Sequence, residues 1–98
     1  MAITALLELQ ITPEALPTAE DLLRKVLADT RARPGCLGVE VLVDAADPAH
    51  ITVRELWESL EHDNAYRAWR ATPEGASPLG TIVAAPPVLT KFTTAFAL

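Results

Sequence analysis

Leu37-Gly38-Val39-Glu40-Val41-Leu42-Val43 alternates along its length, and Ile51-Thr52-Val53-Arg54-Glu55-Leu56-Trp57 does so again after an interval rich in turn residues, Asp44 to His50. Two runs of period two joined this way predict an antiparallel hairpin. Leu37, Val39, Val41 and Val43 share one face of the first strand, opposite Gly38, Glu40 and Leu42. On the second strand Ile51, Val53, Glu55 and Trp57 oppose Thr52, Arg54 and Leu56, so Glu55 is expected to point inward beside Trp57. What flanks this hairpin decides the fold.

Upstream, Ile3, Ala5, Leu7, Leu9 and Ile11 fall on one face and Thr4, Glu8 and Gln10 on the other, which predicts a strand ended by Thr12-Pro13. Thr18-Ala19-Glu20-Asp21 resembles a capping box, and Leu22, Leu23, Val26, Leu27 and Thr30 then recur at helical spacing. Pro34 and Gly35 end that helix near Arg33. Downstream, Ser59 is placed to cap a helix from Leu60 to about Ala71, stopped by Thr72-Pro73. Ser77-Pro78 opens a shorter helix carrying Leu79, Ile82 and Val83, and a last strand is expected from Val88 to Phe96, alternating Val88, Thr90, Phe92, Thr94 and Phe96.

The order is β-α-β-β-α-(α)-β. Right-handed crossovers then give the α+β, ferredoxin-like split βαβ arrangement, a four-stranded antiparallel sheet with both helices on one face. Leu42, Leu56, Leu89 and Ala95 are expected on the second face, which no helix covers. Two copies are therefore expected to meet sheet to sheet as a homodimer.

Ninety-eight residues suit one domain spanning 1–98, and half of them are hydrophobic, enough to complete a core and leave apolar surface over. Thirteen acidic residues against eight basic give a net charge of -5, with no basic stripe for a phosphate backbone, so nucleic acid is not an expected partner. No apolar run reaches the roughly 20 residues of a membrane helix, and no targeting pattern precedes the first strand. The lone Cys36 forms no internal disulfide; a small buried thiol in a cytoplasmic protein is the expectation. His50 and His62 lie in different elements, and the four glycines form no phosphate loop, so neither a metal nor a nucleotide cofactor is indicated.

Arg33-Pro34-Gly35-Cys36-Leu37-Gly38-Val39-Glu40-Val41, then Asp47-Pro48, Glu55-Leu56-Trp57-Glu58-Ser59 and Thr72-Pro73 together resemble the antibiotic biosynthesis monooxygenase family over most of the chain. The resemblance implies a dimeric α+β barrel that oxidises polycyclic phenols or quinols with molecular oxygen, without metal or flavin. Its relatives also include haem-degrading domains and isomerases of small sugar-derived signals, so fold alone does not fix the reaction. Relatives commonly carry a His just before the Thr-Pro; here Trp69 stands in that place, which argues against a mechanism that depends on that His.

His62, Tyr66 and Trp69 are spaced i, i+4 and i+7 and form one stripe on the second long helix. Facing a hollow between sheet and helices, they would offer imidazole, phenol and indole to an aromatic substrate, ionising and orienting it as catalytic groups. The same spacing also describes the core side of an amphipathic helix, with His62 at the rim. Trp57, Arg54, Asn64 and Phe92 complete the candidate set as substrate-binding residues. For each a plainer role stands beside that one: Trp57 as core anchor, Arg54 paired across the hairpin with Glu40, Asn64 solvent-exposed on the far side of its helix, Phe92 part of the strand's alternating set. The functions carried forward are a cofactor-independent monooxygenase of an aromatic phenol, anthrone or quinol using O2, an isomerase or cyclase of a small carbonyl compound with His62 shuttling protons, and a non-catalytic dimeric binding module.

Overall fold

The computed structural model describes residues 1–98. β1 (Ile3–Gln10), α1 (Leu16–Arg31), β2 (Cys36–Asp44), β3 (Asp47–Trp57), α2 (Leu60–Arg70) and β4 (Val88–Phe92) follow one another in the chain. The sheet order is β2-β3-β1-β4, antiparallel at every junction. The α+β ferredoxin-like architecture read from the sequence is thus the observed one.

Local chemistry moves several boundaries. α1 begins before Thr18, because a 3-10 turn over Pro13–Ala15 runs straight into it and Pro17 fits its first turn. Thr18 therefore caps nothing; its hydroxyl donates to the Ala15 carbonyl at 3.3 Å. The loop expected over Asp44 to His50 shrinks to Ala45-Ala46, with Asp44 Oδ1 accepting from the Ala46 N–H at 2.8 Å, and a register shift after Val43 accommodates Pro48. The helix expected after Ser77 is only a 3-10 turn, Pro78–Thr81, which leads to the buried Ile82. β4 stops at Phe92 because Phe92 already pairs with Thr4, near the start of β1, leaving Thr93 to Phe96 almost no strand to pair with.

The β4 register also reverses the expected facing of its side chains. Leu89 and Lys91 pair with Leu7 and Ala5 on the helix side, whereas Val88, Thr90 and Phe92 join Leu6, Leu42 and Leu56 on the uncovered side. Parity decides this: Lys91 reaches inward to the Asp63 carboxylate on α2, so its neighbours in the strand turn outward.

Between sheet and helices the core has two parts. Leu9, Ile11, Ile51 and Val53 meet Ala19, Leu23 and Leu27 of α1, closed at one end by Ile82. Ile3, Ala5 and Trp57 meet Tyr66 of α2. Between α1 and β2, against the start of α2, the chain turns at Gly35. Its φ of 83° lies in the left-handed region, and a Cβ there would come within 2.2 Å of the His62 ring, so only glycine fits.

On the uncovered face His50 sits between two carboxylates, Nδ1 at 2.9 Å from Asp44 Oδ2 and Nε2 at 3.1 Å from Glu8 Oε1. Ionised carboxylates only accept, so keeping both bonds needs a proton on each nitrogen, the imidazolium. The bond to Asp44, then that to Glu8, raises the His50 pKa above its ordinary value, and the His50 bond lowers that of Asp44. A raised folded value means that the His50 contribution is complete below the unfolded value of about 6.5 and is lost as pH rises through the folded one. The Asp44 contribution runs the other way, lost as pH falls through its lowered value. As the pH rises above about 6.5 the melting temperature is therefore expected to fall more steeply than that of a His50→Gln variant. Parallel curves would show that this clamp adds no stability.

Candidate functional site

α1 packs over β1 and β3 and reaches the edge strand β2 at Val39, leaving the inner side of β2 open beyond it. Val39, Val41 and Val43 alternate toward the helix layer, yet Val41 is 47% exposed and Val43 60%. Ala19 and Ala28 are too small to reach them. The result is a cleft of about 670 Å³ between α1 and β2, with Leu16, Ala19, Leu23, Leu27 and Ala28 on one wall and Val39, Val41, Val43, Pro48 and Ile51 on the other. Its polar groups are Glu20, Arg24 and Arg31, all on α1. Arg24 is taken up by Glu20, 2.9 Å away. The recess is a half-open groove with an apolar lining and few charged groups, the composition though not the full enclosure of a small-molecule site.

The ring-bearing stripe of α2 lies elsewhere. Its residues do share a face, as the spacing predicts, but that face is packed. Tyr66 is 5% exposed, stacks at 4.8 Å on Trp57, and lies 6.3 Å from Trp69. Its hydroxyl shares a 2.8 Å hydrogen bond with Thr30 Oγ1 and accepts from Arg70 Nε at 2.8 Å. Arg70 also donates to the carbonyls of Val26 and Gly75, which makes Tyr66 and Arg70 the tie between α1 and α2. His62 Nδ1 is 2.7 Å from Ser59 Oγ, which also accepts from the His62 backbone N–H as the expected cap of α2. Trp69 is covered by the guanidinium groups of Arg33 and Arg70, at 4.2 and 4.8 Å from its ring.

The other candidates divide among three places. Trp57 is fully buried and donates its indole N–H to Glu55 Oε1 at 3.1 Å. Arg54 pairs with Glu40 at 2.6 Å on the uncovered face, where Phe92 also lies. Strand parity points both away from the space beneath the helices: for Arg54 that is the face its alternation predicts, together with the pair to Glu40, whereas for Phe92 it reverses the expected facing. Asn64 is exposed on α2 and accepts from Lys91 Nζ at 3.1 Å. The seven residues proposed from the sequence therefore do not converge on one volume.

A buried ionic chain was missed. Glu55, inward as expected, accepts from Arg67 at 2.6 Å; Arg67 is also 3.0 Å from the fully buried Asp63, which is ion-paired to Lys91 as well. Neither Asp63 oxygen meets hydrogen-bond geometry, so its hold on the two cations is Coulombic. The i, i+4 spacing of Asp63 and Arg67 was legible as a pair; its burial was not. Cys36 is half-buried, and that burial pushes its thiol above the ordinary value, away from nucleophilic character. No three His, Cys, Asp or Glu side chains converge at ligating distance. No helix is long and apolar enough to cross a membrane.

The pattern of the family described as antibiotic biosynthesis monooxygenase matches residues 2–75, from β1 through α2. The chain belongs to that family. Solved structures agree with the fold of this antibiotic biosynthesis monooxygenase domain at low identity. A mutant of SnoaB, a cofactor-independent oxygenase from Streptomyces nogalater, superposes with a TM-score of 0.83 at 15% identity, over 99% of this chain and 96% of that one. Rv0793 from Mycobacterium tuberculosis gives 0.80 at 17% identity over 99% and 98%, and a conserved protein from Methanosarcina mazei Go1 gives 0.80 at 17% over 94% and 91%. None of the curated proteins matches.

Proposed function

We propose that this chain is a cofactor-independent monooxygenase whose substrate, an aromatic phenol, anthrone or quinol, lies in the cleft between α1 and β2. The single observation that carries the reading is that cleft, about 670 Å³ and mostly apolar, in a chain of this family. The chemistry asks little of the protein. An anthrone or phenol loses a proton, its electron-rich anion passes an electron to O2, and the pair recombines at carbon as a peroxide. For an anthrone, loss of water from that peroxide leaves a carbonyl, so CH2 and O2 become C=O and H2O. The protein's share is to exclude water, orient the ring and hold the anion. An isomerase reading draws less support, since His62, its proton shuttle, is bonded to Ser59 and packed against Gly35. The homodimer belongs to the same proposal; Leu6, Leu42, Leu56, Val88 and Phe92 give the uncovered sheet face an apolar centre for a second copy.

Oxygen uptake with an anthrone in chelator-treated buffer tests it. The wild-type protein is expected to consume O2, and Val41→Trp, which fills the cleft from an already exposed position, to cut the rate by about tenfold or more with the fold intact. No uptake above the uncatalysed rate, conversion without oxygen, or a rate indifferent to Val41→Trp would each overturn the proposal.

A further inference from the structure

The eight basic side chains of this protein can be accounted for one by one. Arg24 is held by Glu20 and Arg54 by Glu40; Arg67 and Lys91 meet the buried carboxylates; Arg33 covers Trp69; Arg70 is bonded to Tyr66 and to backbone carbonyls. Lys25 borders a different groove, alongside Asp21 and Asp29. Arg31 is the one arginine with no carboxylate, carbonyl or ring partner, and it lines the cleft. We propose that Arg31 is an anion subsite, and that the ligand of the cleft carries, besides its apolar body, an ionised oxygen acid that meets this guanidinium at the C-terminal end of α1.

This inference rests on the preceding reading of the cleft and narrows its substrate class. Glu20, Arg24 and Arg31 leave the cleft with an excess of one positive charge in a chain of net charge -5, so an anion is favoured there against the field of the rest of the surface. Leu27 and Ala28 lie one turn back from Arg31 on the same helix, so its exposed guanidinium stands at the edge of the apolar wall, free to make a charge-assisted contact with an oxygen acid. The fork of Arg31 matches two oxygens of a carboxylate, or one phenolate oxygen approached by two N–H groups. The helix from Leu16 to Arg31 rises about 22 Å, room for several fused rings laid along Leu23 and Leu27 with the acid at one end. An apolar cleft that is to hold a substrate anion needs such a countercharge, because an unpaired charge there is costly. A cation in the last turn of a helix also interacts with the helix dipole, but that role requires no cleft.

The test uses two fluorescent probes with the same aromatic body, anilinonaphthalene sulfonate and its uncharged analogue phenylnaphthylamine, titrated into the full chain. The wild-type protein is expected to bind the sulfonate about tenfold more tightly than the neutral probe. Arg31→Gln should bring the two to parity without weakening the neutral probe, Arg31→Lys should keep part of the preference, and Lys25→Gln, which borders only the other groove of α1, should change neither. Equal affinities in the wild-type protein, or an unchanged preference in Arg31→Gln, would refute the anion subsite while leaving the cleft as a site for neutral rings. If neither probe is displaced by Val41→Trp, or neither binds because a second copy fills the cleft, the cleft reading fails together with the subsite.

Discussion

Replacing Asp63 with Asn is expected to lower stability by about 3 kcal/mol, the usual cost of removing one partner from a buried ion pair. Asp63 is completely inaccessible and is shared between Arg67 and Lys91. The amide is isosteric, so the loss is one of charge and not of packing. Arg67 keeps Glu55 and Lys91 keeps Asn64, which places the value at the lower end for such removals. For a domain of this size the melting temperature should fall by roughly 12–24 °C. Glu40→Gln on the exposed pair with Arg54 should change it by less than about 1 kcal/mol. In the double variant Asp63→Asn with Arg67→Met the loss should grow and not recover, since the buried Glu55 carboxylate would then be left without its cation. Urea titration of the four proteins measures this; an Asp63→Asn loss under about 1 kcal/mol would mean that desolvation of the carboxylate cancels its attraction to the two cations.

The path of the chain could be read from periodicity because both faces of each element carry a consistent pattern: Ile51, Val53, Glu55 and Trp57 do point inward, and Ser59 does cap α2. Strand parity at β4 was not legible, since Val88, Thr90 and Phe92 look as apolar as their alternates and only the partner of Lys91 decides between them. The site was less legible still. The stripe His62, Tyr66, Trp69 is real, but spacing cannot distinguish a face that lines a hollow from one that fills it. Here the arginines at 67 and 70, on the same helix, turn back over the rings and close the space. The cleft depends on how far α1 stands from β2, a tertiary distance with no local signature. In sequence its walls read as ordinary core, and Arg31 as an ordinary helix end.

The two roles weighed for Trp57, core anchor and pocket wall, predict different outcomes for the same pair of variants. As the anchor of the second cluster, Trp57 is fully buried against Tyr66, and it is absent from the lining of the cleft. Trp57→Ala should then cost about 3–5 kcal/mol, as truncations of large buried aromatics do, and leave little of a domain this small folded at 37 °C. Trp57→Phe keeps most of the ring stacking but withdraws the N–H from Glu55 Oε1, leaving that carboxylate with Arg67 alone. A further loss of about 1.5–3 kcal/mol is expected from that hydrogen bond to a charged group, visible as a lower melting temperature. Because Trp57→Phe still folds, it isolates function: probe affinity and the rate of oxygen uptake per folded molecule should stay within about twofold of wild type. A Trp57→Phe protein that melts like the wild type yet loses the substrate would put the indole at the reacting ring, and the chemistry would then belong under α2 and not in the cleft beside β2.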